Sequence, residues 1–217
     1  MNFSFGIITK DTDSENLNSV INSIILQKIQ NFEIIVVGPK NVLTDASSNI
    51  KYIFFDESSK PGWITKKKNL ITKNAAFENI VFLHDYVALL PGWYEGYIRF
   101  GSDWNVCMNR VEDIKGRRFY DWVAWDHPVL EKYSPLNYYD NSLAKFSFVP
   151  GGYWVAKKSF MLNNLLNETL LWGESEDIEW SLRVREKNYK FNPYSVVRHV
   201  KKHRGYKRRH SIYGTFA

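Results

Sequence analysis

Two groups of acidic residues stand where carboxylates can take part in chemistry. The first is Asp85, which follows His84 at the end of the apolar run Ile-Val-Phe-Leu at positions 80–83. A carboxylate at the end of a buried strand is placed to hold Mg²⁺ or Mn²⁺, since both ions accept oxygen ligands. The same aspartate could instead begin a turn, and this motif alone leaves both interpretations open.

The second group is the sequence Trp-Gly-Glu-Ser-Glu-Asp at positions 172–177, which directly precedes a helical pattern. A carboxylate such as Asp177 can accept a proton from a hydroxyl group and act as a general base. Acidic residues at the start of a helix also stabilise the helix through its dipole, and that role needs no catalysis.

Two shorter motifs accompany these carboxylates. Gly151 and Gly152 lie between them in the sequence, and glycine permits the close approach of a ligand to the backbone, although a plain turn would also use it. His199 ends the apolar run 195–197 after one arginine, where it is either a metal ligand or a surface histidine.

The elements that must position these residues follow from hydrophobic patterning. Apolar runs predict strands at 3–9, 32–37, 51–55 and 79–83, and helical spacing predicts helices at 17–25 and 66–77. This alternation predicts an α/β fold with a mostly parallel sheet flanked by helices. Ligands bind at the carboxyl ends of the strands in such sheets, which is where His84 and Asp85 occur.

The second half of the sequence is less regular, and residues 101–150 mix Trp, Tyr, Asp and Pro. Helices are predicted at 93–100, 159–166 and 176–186, and strands at 107–108, 147–156 and 191–199. We therefore expect one domain, with a nucleotide-binding half (1–100), an acceptor-binding half (101–200) and a basic tail (201–217).

The composition is that of a single folded domain. The 217 residues suffice for one sizeable core, and a content of 44% hydrophobic and 16% aromatic residues excludes a disordered chain. The many aromatic residues indicate either a sugar- or base-binding surface or a large aromatic core. The one cysteine, Cys107, excludes an internal disulfide, and we expect it to be a buried structural thiol in a reducing compartment.

The net charge of +6 is unevenly distributed, because residues 201–210 alone contain six Lys or Arg. Such a run is either a solvated tail or a contact for phosphates, nucleic acid or an anionic membrane face. A nucleic-acid-binding function would leave Asp85 and Asp177 unexplained, so we do not expect that partner. The sequence has neither a signal-peptide pattern nor about 18 consecutive apolar residues, and we therefore expect a cytoplasmic protein that contacts membranes at most peripherally, through the tail.

The order of these motifs resembles the GT-A glycosyltransferases, especially the inverting family 2 type. Those enzymes have an opening strand, a basic helix start like Lys66-Lys67-Lys68-Asn69, an acidic strand end, a small-residue stretch, a Glu-Asp pair and a later histidine. The Trp-Gly before the pair is similar to the β-1,4-galactosyltransferases. The usual acidic motif is Asp-x-Asp, whereas this chain reads His84-Asp85-Tyr86-Val87, so that Asp85 alone matches.

The resemblance implies transfer of a sugar, with inversion, from a UDP or GDP donor to a hydroxyl group of a glycan or protein acceptor. It implies that Asp177 is the general base and that Asp85 and His199 hold a divalent metal, Mn²⁺ or Mg²⁺, together with diphosphate oxygens and water. The residues expected to bind the nucleotide sugar are Thr9, Lys10, Lys66, Lys68, His84, Asp85 and Gly152. Those expected to bind the acceptor are Trp172, Glu174 and Glu176.

Several alternatives remain at this stage. The incomplete Asp-x-Asp motif also suits a non-catalytic sugar-binding relative, and His203 or His210 could replace His199 as the metal ligand. A nucleotidyltransferase is disfavoured because Gly6 is the only glycine before Gly38, and such enzymes need an early glycine-rich phosphate loop. The identity of the nucleotide stays open, since the second strand is followed by Gly-Pro rather than by an acid.

Overall fold

The structure is a computed structural model, and it describes residues 1–10, 15–39, 49–58, 60–185 and 188–201. The strands of this part of the chain are β1 (Phe3–Ile8), β2 (Phe32–Gly38), β3 (Ile50–Phe54), β4 (Asn79–His84), β5 (Val87–Leu89), β6 (Val106–Glu112), β7 (Tyr153–Lys157) and β8 (Tyr189–His199). The helices are α1 (Glu15–Ile25), α2 (Ile64–Asn74), α3 (Trp93–Phe100), α4 (Lys158–Asn163) and α5 (Glu176–Arg183). Most of the basic tail, with His203 and His210, lies outside the described residues.

All eight of these strands form one sheet in the order β3-β2-β1-β4-β7-β6-β8-β5. The first four strands in this order are parallel to one another, β7 is antiparallel to both β4 and β6, and β6 is parallel to β8. The carboxyl ends of β1, β4, β6 and β8 therefore lie along one edge, together with the amino end of β7. This edge carries the candidate site.

The α/β fold predicted from the sequence is confirmed, and the sheet is mixed. Its first strands are buried along most of their length, which explains why their apolar runs predicted them within two residues. The strand predicted at 147–156 was wrong at its start, because Pro150, Gly151 and Gly152 form a turn and β7 begins at Tyr153. β5 was not predicted, since three residues are too short for a periodic signal.

The last strand carries His199 to the site through a bulge. Asn109 of β6 pairs with Asn192, whereas the next residue, Arg110, pairs with Val196, so β8 has extra residues around Pro193. Proline lacks an N–H donor and is tolerated at such a bulge. The end of β8 then pairs with β5, where His199 lies opposite Val87.

Aromatic residues fill much of the core, and the core therefore accounts for part of their excess in the sequence. Trp93, Trp122, Trp154 and Trp180 are each at most 1% exposed. Cys107 is also fully buried, and burial raises the pKa of its thiol to about 12, so its expected structural role is confirmed. Within the described residues, no helix combines the length and the apolar character needed to cross a bilayer.

Candidate active site

A cavity of about 330 Å³ opens at the carboxyl edge of the sheet. Its walls come from the ends of β4 and β8, the turn before β7, the start of α5 and residues of the irregular segment 113–150. Of the residues singled out from the sequence, those that line it include His84, Gly151, Gly152, Trp172, Glu176, Asp177 and His199. Elements far apart in the sequence thus converge on one cavity.

The carboxylates of Glu176 and Asp177 stand at the start of α5. Asp177 is fixed by backbone donors, because its Oδ2 accepts from the N–H of Gly151 at 2.8 Å and its Oδ1 from the N–H of Ile178 at 2.9 Å. A Cβ added at Gly151 would lie 3.1 Å from Glu176 Oε1 and 3.2 Å from Asp177 Oδ2. A side chain at position 151 would therefore require these carboxylates to shift by a few tenths of an ångström.

Glu176 is the more buried of the two acids, at 5% exposure. Burial raises the pKa of its carboxyl group; the positive charge of Lys68 opposes this shift, and the negative charge of Asp177 adds to it. The Lys68 ammonium is itself buried, and burial lowers its pKa. Two acids and one lysine thus form a small charged group at the base of the cavity.

Two histidines flank Tyr86 in the cavity wall. The Tyr86 ring makes edge contacts with His84 at 5.2 Å and with His199 at 5.5 Å between ring centroids. Burial, together with Lys68, Lys201, His199 and Lys67, lowers the pKa of His84 well below its usual value, so its imidazole is neutral at pH 7.

His84 also carries an unused polar atom. Its Nε2 is buried and has no hydrogen-bond partner in the part of the chain that the structure describes. An unpaired buried polar atom costs free energy.

Thr9 and Asp85 meet beside this cavity without lining it. The Thr9 hydroxyl donates to Asp85 Oδ2 at 2.7 Å, and the Lys201 ammonium lies 3.8 Å from Asp85 Oδ1. Lys67 adds a third polar link, since its Nζ donates to the Thr9 carbonyl at 2.8 Å and lies 2.6 Å from Glu57 Oε1. The structure therefore brings together a second polar group at the carboxyl ends of β1 and β4.

The three consecutive lysines of α2 point in different directions, because successive residues of an α-helix are about 100° apart. Lys66 stacks on the Trp63 ring at 4.1 Å, and Lys67 reaches Thr9. Lys68 is 1% exposed and donates to the Gly151 carbonyl at 2.6 Å. The sequence prediction named Lys66 and Lys68 for the nucleotide sugar and did not single out Lys67, because the register of α2 against the sheet cannot be read from the sequence.

The remaining predicted residues lie at the rim or outside the cavity. Lys10 is exposed after β1, and Glu174 uses its Oε2 to accept from the Leu171 N–H at 2.7 Å. Trp172 is 68% exposed at the cavity, and its backbone N–H is held by the Gly62 carbonyl at 2.9 Å.

The aromatic part of the cavity wall was not predicted residue by residue. It consists of Tyr86, Phe119, Tyr120, Tyr133, Phe148 and Tyr153 in addition to Trp172. The only signal in the sequence was the aromatic richness of residues 101–150, where irregular backbone gives no periodic pattern.

Potential metal ligands are sparse here. Across the described ranges, no group of three or more His, Cys, Asp or Glu side chains is placed to hold a metal ion. The expected ligands Asp85 and His199 would supply one oxygen-bearing and one nitrogen-bearing group.

No family model matches the sequence, and a comparison with curated proteins also gives no match. Among solved structures, the chain is similar to a crystal structure of GalNAc-T7 with UDP, GalNAc and Mn²⁺, with a TM-score of 0.70 and 16% identity over 94% of this chain and 44% of that chain. It is also similar to S. aureus TarS 1-349 in complex with UDP-GlcNAc, with a TM-score of 0.64 and 16% identity over 94% of this chain and 60% of that one.

A third similar structure is that of S. aureus TarS, with a TM-score of 0.63 and 17% identity over 90% of this chain and 36% of that one. The chain thus spans well under two thirds of the length of each of these proteins. The element order, the mixed sheet and these similarities establish that this chain has the GT-A glycosyltransferase fold.

Proposed function

We propose that the chain is a glycosyltransferase that moves a sugar, with inversion, from a nucleotide-diphosphate donor to a hydroxyl group of a glycan or protein acceptor. The observation that carries this proposal is the position of Asp177, a carboxylate held by backbone donors in the wall of a cavity at the ligand-binding edge of the sheet. The similar structures of GalNAc-T7 with UDP and of S. aureus TarS with UDP-GlcNAc support a nucleotide-sugar donor.

In this proposal Asp177 is the general base. A carboxylate has about four acceptor positions, and the two bonds from Gly151 and Ile178 leave room for an acceptor hydroxyl. The hydroxyl gives its proton to Asp177 as its oxygen bonds to the anomeric carbon, and the bond from that carbon to the diphosphate oxygen breaks on the opposite face. This in-line displacement inverts the anomeric centre, as a single displacement does in inverting glycosidases.

The departing diphosphate needs positive charge at the other end of the site. Lys67 and Lys201 surround Asp85 there, and exposed Lys10 follows β1 directly. A divalent cation, when bound, would neutralise the leaving group, and Asp85 with His199 would hold it. Carboxylate and imidazole suit Mn²⁺, and ions of the Mg²⁺ class commonly combine few protein ligands with substrate phosphates, so this pair fits an ion that binds together with the nucleotide.

The cavity walls suit a sugar ring. Tyr120, Tyr133 and Trp172 offer flat apolar faces with polar edges, and Glu176 offers a hydrogen-bond acceptor. The volume of about 330 Å³ lies in the range of small-molecule sites.

A thermal-shift panel of UDP-glucose, UDP-galactose, UDP-GlcNAc, UDP-GalNAc and GDP-mannose, each with and without Mn²⁺, tests the donor. We expect at least one of them to raise the melting temperature, because a ligand of the folded state stabilises it by mass action. Release of the nucleoside diphosphate from that donor should stop in Asp177→Asn but not in Asp140→Asn, an exposed aspartate outside the cavity. A shift with none of the donors would contradict the proposal, and binding without release by the wild type would favour a sugar-binding protein.

A further inference from the structure

We propose that Lys68 is a positioning residue for the catalytic carboxylates: it anchors the Gly151 turn and supplies the buried positive charge that faces Glu176 and Asp177. This inference rests on the proposed function, in which Asp177 is the base. It gives Lys68 a different task from the nucleotide contact expected from the sequence.

The geometry places Lys68 beneath the site. It projects from α2 and is 1% exposed, and its Nζ donates to the carbonyl of Gly151 at 2.6 Å. The N–H of the same Gly151 donates to Asp177 Oδ2 at 2.8 Å. One peptide segment thus connects the buried ammonium to the base, and a shift of the lysine would move the donor that fixes Asp177.

The charges lead to the same assignment. Glu176 and Asp177 are the two negatively charged neighbours of Lys68. Water screens the charge of Glu176 only weakly, because this side chain is 5% exposed. Two adjacent carboxylates disfavour each other's ionisation, and a cation close by restores it. Lys68 thereby opposes the rise in the pKa of Glu176 that burial and the charge of Asp177 cause.

Other charged groups face this pair as well. Glu174, from the loop before α5, adds a negative charge, and His84 of β4 is close enough to Lys68 for the lysine to lower its pKa. His84 is neutral and contributes no compensating charge at pH 7. Among these groups, Lys68 therefore provides the positive charge at the base of the cavity.

The nucleotide end has its own lysine. Lys67 reaches the Thr9 carbonyl and has Asp85 among its negative neighbours, whereas Lys68 points to the Gly151 turn. We therefore expect loss of Lys68 to change catalysis and its pH dependence while nucleotide affinity stays the same.

The test compares Lys68→Gln, which removes the charge, with Lys68→Arg, which keeps it. For Lys68→Gln we expect the acid limb of kcat/KM against pH to move up by about 1–3 pH units, the usual effect of one neighbouring charge. Lys68→Arg should retain the wild-type acid limb. The affinity for UDP or GDP, whichever stabilises the wild type, should be unchanged in both variants. Lys73→Gln serves as the matched control, because Lys73 is exposed in the last turn of the same helix.

A second readout does not depend on activity. Without the cation, Glu176 holds its proton to higher pH in the folded state, so the unfolding free energy of Lys68→Gln should fall more steeply than that of the wild type as the pH rises above the ordinary pKa of a glutamate. If Lys68→Gln does not fold, the double variant Lys68→Gln/Glu176→Gln should restore folding, because one negative charge is removed with the positive one.

The inference would be overturned if the acid limb of kcat/KM lay at the same pH in Lys68→Gln and Lys68→Arg. It would also be overturned if Lys68→Gln alone lost affinity for the nucleotide. Failure of the double variant to fold where the single variant also fails would overturn it too. Failure of the proposed function would look different. In that case no nucleotide sugar would bind the wild type, but the pH dependence of the unfolding free energy would still change in Lys68→Gln.

Discussion

The site has two ends, and each contains one of two adjacent buried lysines: Lys67 at the nucleotide end and Lys68 at the catalytic end. The two ends differ in the partners that hold their carboxylates. At the nucleotide end, Asp85 accepts from a threonine hydroxyl and faces Lys201, and its side chain is 17% exposed. At the catalytic end, Asp177 accepts from two backbone N–H groups, and its neighbour Glu176 is 5% exposed.

In the proposed function, this difference matches two chemical tasks. Side-chain partners such as Thr9 and Lys201 can rearrange when a charged ligand arrives, which suits a site that takes up a diphosphate. Backbone partners such as the Gly151 N–H cannot rearrange without moving the turn, which suits a base that must keep its geometry. Changes at the two ends should therefore affect different measurable quantities.

The largest effect short of removing the base itself should come from Gly151→Ala. The new Cβ would lie 3.1–3.2 Å from the oxygens of Glu176 and Asp177, so these carboxylates would have to shift by a few tenths of an ångström. Since a misplacement of about 1 Å can reduce turnover by about 10²-fold, we expect this smaller shift to reduce turnover by about 10- to 10²-fold. Steady-state kinetics with the selected donor measure this change. Gly152→Ala is the control, because its Cβ would lie 3.4 Å from the Tyr86 hydroxyl, an ordinary contact. Equal turnover in both variants would show that Asp177 does not depend on the Gly151 turn.

Asp85→Ala should change the affinity for the donor rather than the turnover. We expect the Mn²⁺-dependent affinity for the nucleotide sugar to fall by at least about tenfold, equivalent to about 1.4 kcal/mol, because a charged ligand group at that end is lost. Calorimetric titration of the donor with and without Mn²⁺ measures it. Asp56→Ala, which removes an exposed aspartate whose carboxylate bonds to Ser58, is the control. An unchanged affinity in Asp85→Ala would remove that residue from the nucleotide site.

Trp172→Ala should have a smaller effect, limited to acceptor binding. The indole is 68% exposed at the cavity, and loss of a stacking surface of this kind costs about 0.5–1.5 kcal/mol. The acceptor KM should therefore rise by roughly 2- to 12-fold with kcat retained. A change of donor KM instead would place Trp172 on the donor side.

The smallest effect is expected for Glu176→Gln, which changes the pH dependence of the unfolding free energy. This variant tests the consequence of burying the Glu176 carboxyl group. Because burial raises its pKa, the folded protein binds more protons than the unfolded chain between the unfolded and folded pKa values of this group. Its contribution to stability is fully present below the unfolded pKa, near 4.3, and is lost as pH rises through the folded value. Glu176→Gln should therefore show a flatter dependence of unfolding free energy on pH in denaturant titrations. Parallel curves for wild type and variant would contradict the assignment.

How much of this could be predicted from the sequence depends on which physical signal each region carries. Buried parallel strands have continuous apolar runs, so β1, β2 and β4 were predicted closely, and the polar residues at strand ends indicated the site. His84 and His199 meet at one cavity because β4 and β8 run in the same direction and end at one edge of the sheet, where α5 begins with Glu176 and Asp177.

The rest depends on tertiary partners that leave no local pattern. Lys66, Lys67 and Lys68 are chemically identical, and only the packing of α2 decides which of them reaches Thr9 and which reaches Gly151. The aromatic wall comes largely from irregular backbone, and the turn at Gly151 is set by Asp177, 26 residues further along the chain. The spacing of hydrophobic residues in the sequence carries no information about such tertiary contacts.

The most direct test of the two-ended site is a paired measurement on Asp177→Asn and Asp85→Ala, with donor affinity and turnover determined for both under the same conditions. We expect Asp177→Asn to keep the donor affinity and lose about 10²–10⁴-fold in turnover, the usual contribution of a general base. Asp85→Ala should instead lose the Mn²⁺-dependent affinity. If both variants lose affinity and turnover in the same proportion, the two ends do not have separate tasks and the account is contradicted.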